Sequence, residues 1–226
     1  KKIIVPIDFS EHSEYALKTA AKLAKKNNAE VLALHMLEMS DIMLTASDGL
    51  QYEKAVYFYK LSEQKFEKFL DKPYLKDVKV TPIIKHFKVF SEVNEVAKLH
   101  DVDMIVMGSQ GTSGAKEFFI GSNTERVVRN SEIPVLVVKN QVKDVDFEVV
   151  VFACDFSEET ITPYLNAVKM FNKIGSKMYM VYVNMPNERF KTSAEIEKLV
   201  VNFFTKAFGN LDKMETVHYV SDYTAE

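Results

Sequence analysis

The chain lacks most of the residues that announce a mechanism. Its 226 residues include one cysteine, Cys154, and no tryptophan. A single thiol excludes an intrachain disulfide and fits a reducing, cytoplasmic setting. Its place at the end of the apolar run Val149 to Cys154 marks a buried structural thiol rather than a nucleophile. No apolar stretch approaches the roughly 20 residues of a membrane-spanning helix, and no signal-peptide pattern is present, so no membrane partner is expected. Neither sign of charge is in excess: the net value of −3 gives no reason to expect nucleic acid. Glycine is scarce at seven residues. Neither the phosphate-loop pattern GxxxxGK[ST] nor the dinucleotide pattern GxGxxG occurs.

What glycine there is falls in a telling place. Met104 to Met107 is an apolar run short enough for a buried strand, and Gly108 and Gly111 follow at once. Gly121 and Ser122 come next, then a helical segment with Asn123 in its first turn, then Pro134 and the strand-like run Val135 to Val138. Glycine after a strand permits positive φ and lets a ligand approach without a Cβ in the way. Successive backbone N–H groups in such turns form a concave anion site, and a helix start adds its unpaired N–H groups and positive dipole end. Two glycine turns and a helix N-terminus can thus hold a polyphosphate without a lysine. The alternative is plain chain turning, with Ser122-Asn-Thr-Glu125 serving as an S-x-x-E capping box.

The order of elements is that of a parallel α/β sheet. Lys2 to Ile7 reads as a strand, and Asp8-Phe9-Ser10 turns it into a helix with Ser10 as N-cap. Ala16, Ala20, Leu23 and Asn27 share one face of that helix, with Lys18, Lys22, Lys25 and Lys26 on its solvated side. Glu30 to Met36 is a second strand. Residues 51–70 form a long helix with Ala55, Tyr59, Phe66 and Phe69 as its apolar positions. Val78 to Ile84 is a third strand, which Pro82 places at a sheet edge. Ser91 to Leu99 is a short helix beginning at Ser91. Strand–helix–strand order calls for right-handed crossovers, with ligands beyond the carboxyl ends of the strands where the order reverses. Asp8, Met36 and Gly108 stand at three such ends. Asp8 read alone is a turn or cap residue before it is a ligand, and His35 is expected as a packed strand histidine.

The pattern G-x2-G-x9-G-[ST], followed by helix, Pro and a Val-rich strand, resembles the universal stress protein family. So does the opening Ile-Ile-Val-Pro-Ile-Asp8-Phe-Ser10, and the resemblance runs from residue 2 to about residue 140. It implies a doubly wound five-stranded parallel sheet in the order 3-2-1-4-5, of the adenine nucleotide alpha hydrolase-like type. It implies a stress-response or regulatory module binding an adenine nucleotide: ATP, with Mg²⁺. The matching positions are Pro6, Ile7, Asp8, Met36, Met107, Gly108, Gly111, Gly121, Ser122 and Asn123. In the nucleotide-binding branch the glycine stretch holds phosphates and ribose, the first-strand Asp lies at the nucleotide, and the second-strand end offers backbone to adenine. The family often carries His or Arg beside its second glycine, where this chain has Gln110 and Thr112. No lysine, arginine finger or base can be assigned to hydrolysis, so no catalytic residue and no resident metal ligand are expected. A slow ATPase and a nucleotide-free dimeric scaffold stand as alternatives. The resemblance also implies a homodimer through the Val135 to Val138 edge strand.

The beginning then repeats. At an offset of 147 residues, Asp8-Phe9-Ser10-Glu11 falls on Asp155-Phe156-Ser157-Glu158, Ala20 on Ala167 and Lys22 on Lys169. The expected organisation is a complete domain over residues 1–141 and a partial second copy over 146–226. The second copy includes a helix after the capping box Thr192-Ser-Ala-Glu195 and a strand near Val217 to Val220, but no second glycine stretch. Its first strand would be an open apolar edge, so either the natural chain continues past residue 226, the preferred expectation, or another chain covers the edge.

Overall fold

The computed structural model describes residues 1–37, 48–86, 92–110, 120–172, 175–185 and 190–209. The chain divides into two compact units, Lys1–Val145 and Asp146–Glu226.

The first unit holds a parallel sheet in the order β3-β2-β1-β4-β5. Its strands are β1 (Lys2–Pro6), β2 (Glu30–Leu37), β3 (Val80–His86), β4 (Met104–Gly108) and β5 (Val135–Val138). Four α-helices connect them among the described residues: α1 (Glu11–Asn27), α2 (Asp48–Leu70), α3 (Val93–Leu99) and α4 (Ser122–Asn130). Helix α1 starts where the Ser10 side chain accepts the Ser13 N–H, carries Glu11 and Glu14 in its first turn, and ends at Asn28 with φ 48°. These match the unpaired N–H groups and dipole of a helix start. Its buried face is built from Ala16, Leu17, Ala20, Ala21 and Ala24, small enough to bring the helix axis close to the sheet. Pro82 does lie on the edge strand, where its missing N–H costs no ladder bond.

Several sequence expectations shift. Asn27 is exposed rather than on the core face of α1, and its Nδ2 donates to Leu23 O. Tyr59 is 38% exposed, whereas Phe66 is buried at 3%, so α2 turns only part of its aromatic content inward. Helix α3 begins after Glu92, and Ser91 lies outside the described residues. Two α1 lysines are more than a solvated face. Lys22 Nζ donates to the carbonyls of Val142 and Lys143, and Lys26 Nζ to that of Val145 at 3.1 Å. They tie the chain after β5 back onto α1.

The second unit pairs β6 (Val149–Ala153) in parallel with β7 (Lys177–Val181) through α5 (Ile161–Asn172), and α6 (Ser193–Phe208) follows. Thr192 caps α6 in a full capping box with Glu195, as its sequence predicts. One face of the strand pair packs with the helices around Phe156, Tyr164, Met180, Val200, Phe203 and Phe204. The other leaves Val149 and Val151 about 60% exposed. Cys154 is buried, and its Sγ accepts the Phe156 N–H at 3.2 Å. The strand expected near Val217 lies outside the described residues. No described helix is long and apolar enough to cross a membrane.

Candidate functional site

The sheet opens between β1 and β4. Those two strands share only the rungs Ile3–Met104 and Ile4–Ile105. Beyond them β1 stays with β2 as far as Pro6–Leu34, while β4 stays with β5 as far as Gly108–Val138. The chain winds outward from β1 in one direction and from β4 in the other, so this gap is the switch point at which α/β sheets bind ligands. β2 also runs past β1, pairing β3 through Leu37. Met36 therefore presents backbone beyond the last β1 rung.

The first wall is the β1 turn. Ile7 N–H donates to Leu34 O at 2.7 Å, and Ile7 O is bonded by His35 Nδ1 at 2.8 Å. Because the acceptor is a carbonyl, Nδ1 carries the proton. Asp8 Oδ1 accepts the Ser10 N–H at 3.0 Å and the Ser10 hydroxyl at 2.5 Å. The carboxylate is therefore held half-buried at the crevice mouth. Burial pushes the His35 imidazole below its ordinary value, with the Lys65 charge adding to this; the bond to Ile7 and the nearby Asp8 charge oppose it. His35 is thus a packed strand histidine, as expected, but one with a definite bond.

The second wall is the end of β4. Ser109 N–H donates to Val138 O at 3.0 Å, Gly121 N–H returns to Ser109 O at 2.8 Å, and Thr124 Oγ1 donates to Gly108 O at 2.9 Å. The start of α4 is thereby clamped to the strand end. The first intrahelical bond is Glu125 N–H to Gly121 O. The N–H groups of Ser122, Asn123 and Thr124 precede it and have no acceptor within the helix. Ser109 is 5% exposed, and its Oγ has no hydrogen-bond partner among the described residues; nor has His12 Nδ1.

Two expectations for this wall change. The N-cap is Gly121, without a side-chain cap bond, so Ser122 is the first helical residue and the capping-box reading of Ser122 and Glu125 is replaced. What decides this is the Gly121–Ser109 bond, which local sequence cannot show. The described glycines of the stretch do not use positive φ: Gly121 has φ −59°, and Gly108 closes a strand. Gly108 is required by packing instead. A Cβ there would lie 2.9 Å from the backbone C and O and the Cβ of His12 on α1. Gly111 lies outside the described residues.

The side chains of Ile7, Met36 and Met107 are buried, and Pro6 lies in the ladder; these four can meet a ligand through backbone only. Asp8, Ser122 and Asn123 keep polar groups at the gap. Phe9, His12, Ser109 and Thr124 were not legible as site residues. Their roles depend on contacts between residues far apart in the chain, and only the Gly108–Ser109 adjacency hinted at one of them.

The comparisons with known proteins agree with this architecture. Residues 1–139 match the model of the universal stress protein family, and the chain belongs to that family. It is 36% identical over 157 residues to universal stress protein MJ0577 of Methanocaldococcus jannaschii, covering 62% of this chain and 96% of that protein. It is 33% identical over 145 residues to universal stress protein MJ0531 of the same organism, covering 64% and 85%. The solved structure of MJ0577 superposes with a TM-score of 0.55 at 33% identity, over 63% of this chain and 98% of that one. A universal stress protein structure from Archaeoglobus fulgidus superposes over 98% of this chain and 77% of its own, with a TM-score of 0.56 at 21% identity. That likeness is one of fold.

Proposed function

We propose that the first unit binds an adenine nucleotide, ATP with Mg²⁺, in the gap between β1 and β4, and that the protein acts as a non-catalytic stress-response module in the cytoplasm. The observation that carries the reading is the parting of the sheet after the Ile4–Ile105 rung, with the first turn of α4 fastened at the same strand ends. The residues present suit the ligand. Asp8 offers a carboxylate to ribose hydroxyls, Met36 offers backbone to the base, and the Ser122 and Asn123 N–H groups offer donors to phosphate. The unpartnered Ser109 hydroxyl adds a further donor at the same strand end. Polyphosphate supplies the negative charge that a helix start favours. Gly111 belongs to the same set through its sequence spacing.

A nucleotide that engages these groups in one conformation shifts the protein toward it and so changes which surface partners meet. The β5 edge is the surface proposed to pair with a second copy: Val135, Leu136 and Val137 are half-buried on the outer strand of the sheet. The second unit is read as a partial copy of the same fold without a phosphate side of its own. The fold likeness over 98% of this chain supports that reading. Thermal unfolding with millimolar MgATP tests the nucleotide. Ligand at about 100 times its dissociation constant should stabilise the fold by about 2.7 kcal/mol, and no shift at all overturns the reading. Turnover of labelled ATP by the same preparation would overturn the non-catalytic part.

A further inference from the structure

Phe9 sits between the two best-fixed points of the ligand turn. On one side Ile7 is held by Leu34 and His35; on the other Ser10 caps α1 and binds Asp8. Phe9 itself has φ 63°, a left-handed conformation that a bulky residue adopts only when its surroundings impose it. Aromatic rings surround it here. The Phe9 ring lies 4.6 Å from the His35 ring, 5.4 Å from Phe66 and 5.5 Å from Phe69, the last two edge-on, and Lys65 Nζ stands 5.7 Å from its centroid. Phe66, Phe69 and Lys65 all belong to α2, so this helix grips the residue next to Asp8.

The second unit repeats the device. Phe156 has φ 59°, and its ring stacks on Tyr182 at 5.8 Å and meets Phe203 of α6 edge-on at 5.5 Å. Ser157 N–H again donates to the preceding Asp155 carboxylate, at 2.9 Å. In both units an aromatic just past or near the end of the second strand and one from the next described helix hold a left-handed Phe between an Asp and a Ser. Two occurrences on different partners make this a built feature rather than an accident of one loop.

We propose that Phe9 is a positioning residue for Asp8, and that its ring contacts couple the docking of α2 to occupancy of the β1–β4 gap. The ligand half of this proposal rests on the nucleotide reading given above. Any ligand that fixes Asp8 then steadies α2, and α2 seated on Phe9 holds Asp8 ready; the coupling is reciprocal. Helix α2 packs on β2 and β3, so the message passes from the ligand turn to the far half of the sheet.

The test uses the full chain and three variants, read by amide hydrogen exchange and by MgATP titration. Glycine is at ease at φ near +60°. If Phe9 were only a turn residue, Phe9→Gly would leave exchange in α2 and nucleotide affinity as in the parent. The proposal expects Phe9→Gly to speed exchange over residues 62–70, without nucleotide present, and to weaken MgATP about tenfold. Phe9→Tyr, which keeps the ring, should restore both. Phe69→Ala changes a half-buried residue on α2 and should weaken MgATP several-fold from a distance. Parent-like exchange in Phe9→Gly overturns the aromatic grip. Parent-like affinity in Phe9→Gly or Phe69→Ala, once α2 exchange is faster, overturns the coupling. A parent chain that binds no MgATP overturns the nucleotide reading and the ligand half of this proposal with it, while the exchange result still decides whether Phe9 fastens α2.

Discussion

The turns at Asp8 and Asp155 are nearly the same object in two settings. Each has a left-handed Phe, a Ser whose N–H binds the Asp carboxylate, and an aromatic contributed from near the second-strand end. In the second unit the bond from Ser157 holds the Asp155 carboxyl below the usual range. The first turn, however, faces a strand end that carries Gly108, Ser109 and the start of α4. Among the described residues the second unit has two strands and no such counterpart. The turn geometry thus recurs wherever the same ring packing recurs. The phosphate site proposed for the first unit needs more: a second strand end brought to the turn by the sheet.

The largest expected effect attacks what, among the described residues, the first unit alone possesses. Gly108→Ala places a methyl 2.9 Å from His12 backbone atoms, which cannot move aside as a flexible side chain can. Overpacking of this kind should cost about 1–3 kcal/mol, read as a lower midpoint of chemical unfolding. A variant as stable as the parent would mean that α1 does not seat on Gly108. Gly108 substitutions are consequently poor probes of ligand binding.

Ser122→Glu separates binding from folding. Ser122 is exposed at the first position of α4, where an acidic side chain favours the helix. The fold should be unharmed, while a carboxylate beside the phosphates should weaken MgATP about tenfold, about 1.4 kcal/mol. Unchanged affinity by titration would remove α4 from the site. Thr192→Ala acts on the second unit alone. It deletes the side-chain half of a capping box, and about 1 kcal/mol of stability should be lost with nucleotide affinity as in the parent.

How much of this could be read beforehand follows from what each feature depends on. The Ser10 cap, the edge position of Pro82 and the Thr192 capping box were legible because each is written in a few adjacent residues; strand order came from the family resemblance carried by the glycine stretch and the opening strand. The alternative of Ser122 as a cap stayed open in the sequence because S-x-x-E fits a start one residue later equally well. The bond from Gly121 to Ser109 decides it, across a stretch no local rule spans. The reason for Gly108 lies in His12, nearly a hundred positions earlier, and Lys22 meets its carbonyl partners still farther along the chain. Phe9 gave no sign of positive φ, since nothing in Asp-Phe-Ser asks for it; the rings packed on it, those of His35, Phe66 and Phe69, come from distant parts of the chain.

A smaller difference between the two turns is acid sensitivity. His35 has its pKa lowered, burial being the main cause. The folded state thus binds fewer protons than the unfolded chain, and the stability this histidine allows is lost as pH falls from its ordinary value of about 6.5 toward its folded value. Tyr182 contacts the other left-handed Phe and has its pKa raised by burial, so it stays neutral over that range. The unfolding midpoint of the parent should fall more than that of His35→Phe between about pH 7.5 and 5.5. Equal losses would show that His35 does not titrate on folding. Smallest of all, Phe156→Gly should leave MgATP affinity unchanged; a loss would bring the second turn into the site.

The central claim is one nucleotide site per chain, at the β1–β4 gap of the first unit. Isothermal titration of the full chain with MgATP, beside the Ser122→Glu variant, tests it most directly. A stoichiometry near one is expected, with the same site weakened in the variant. No heat of binding, two equivalent sites per chain, or one site indifferent to Ser122→Glu would contradict it.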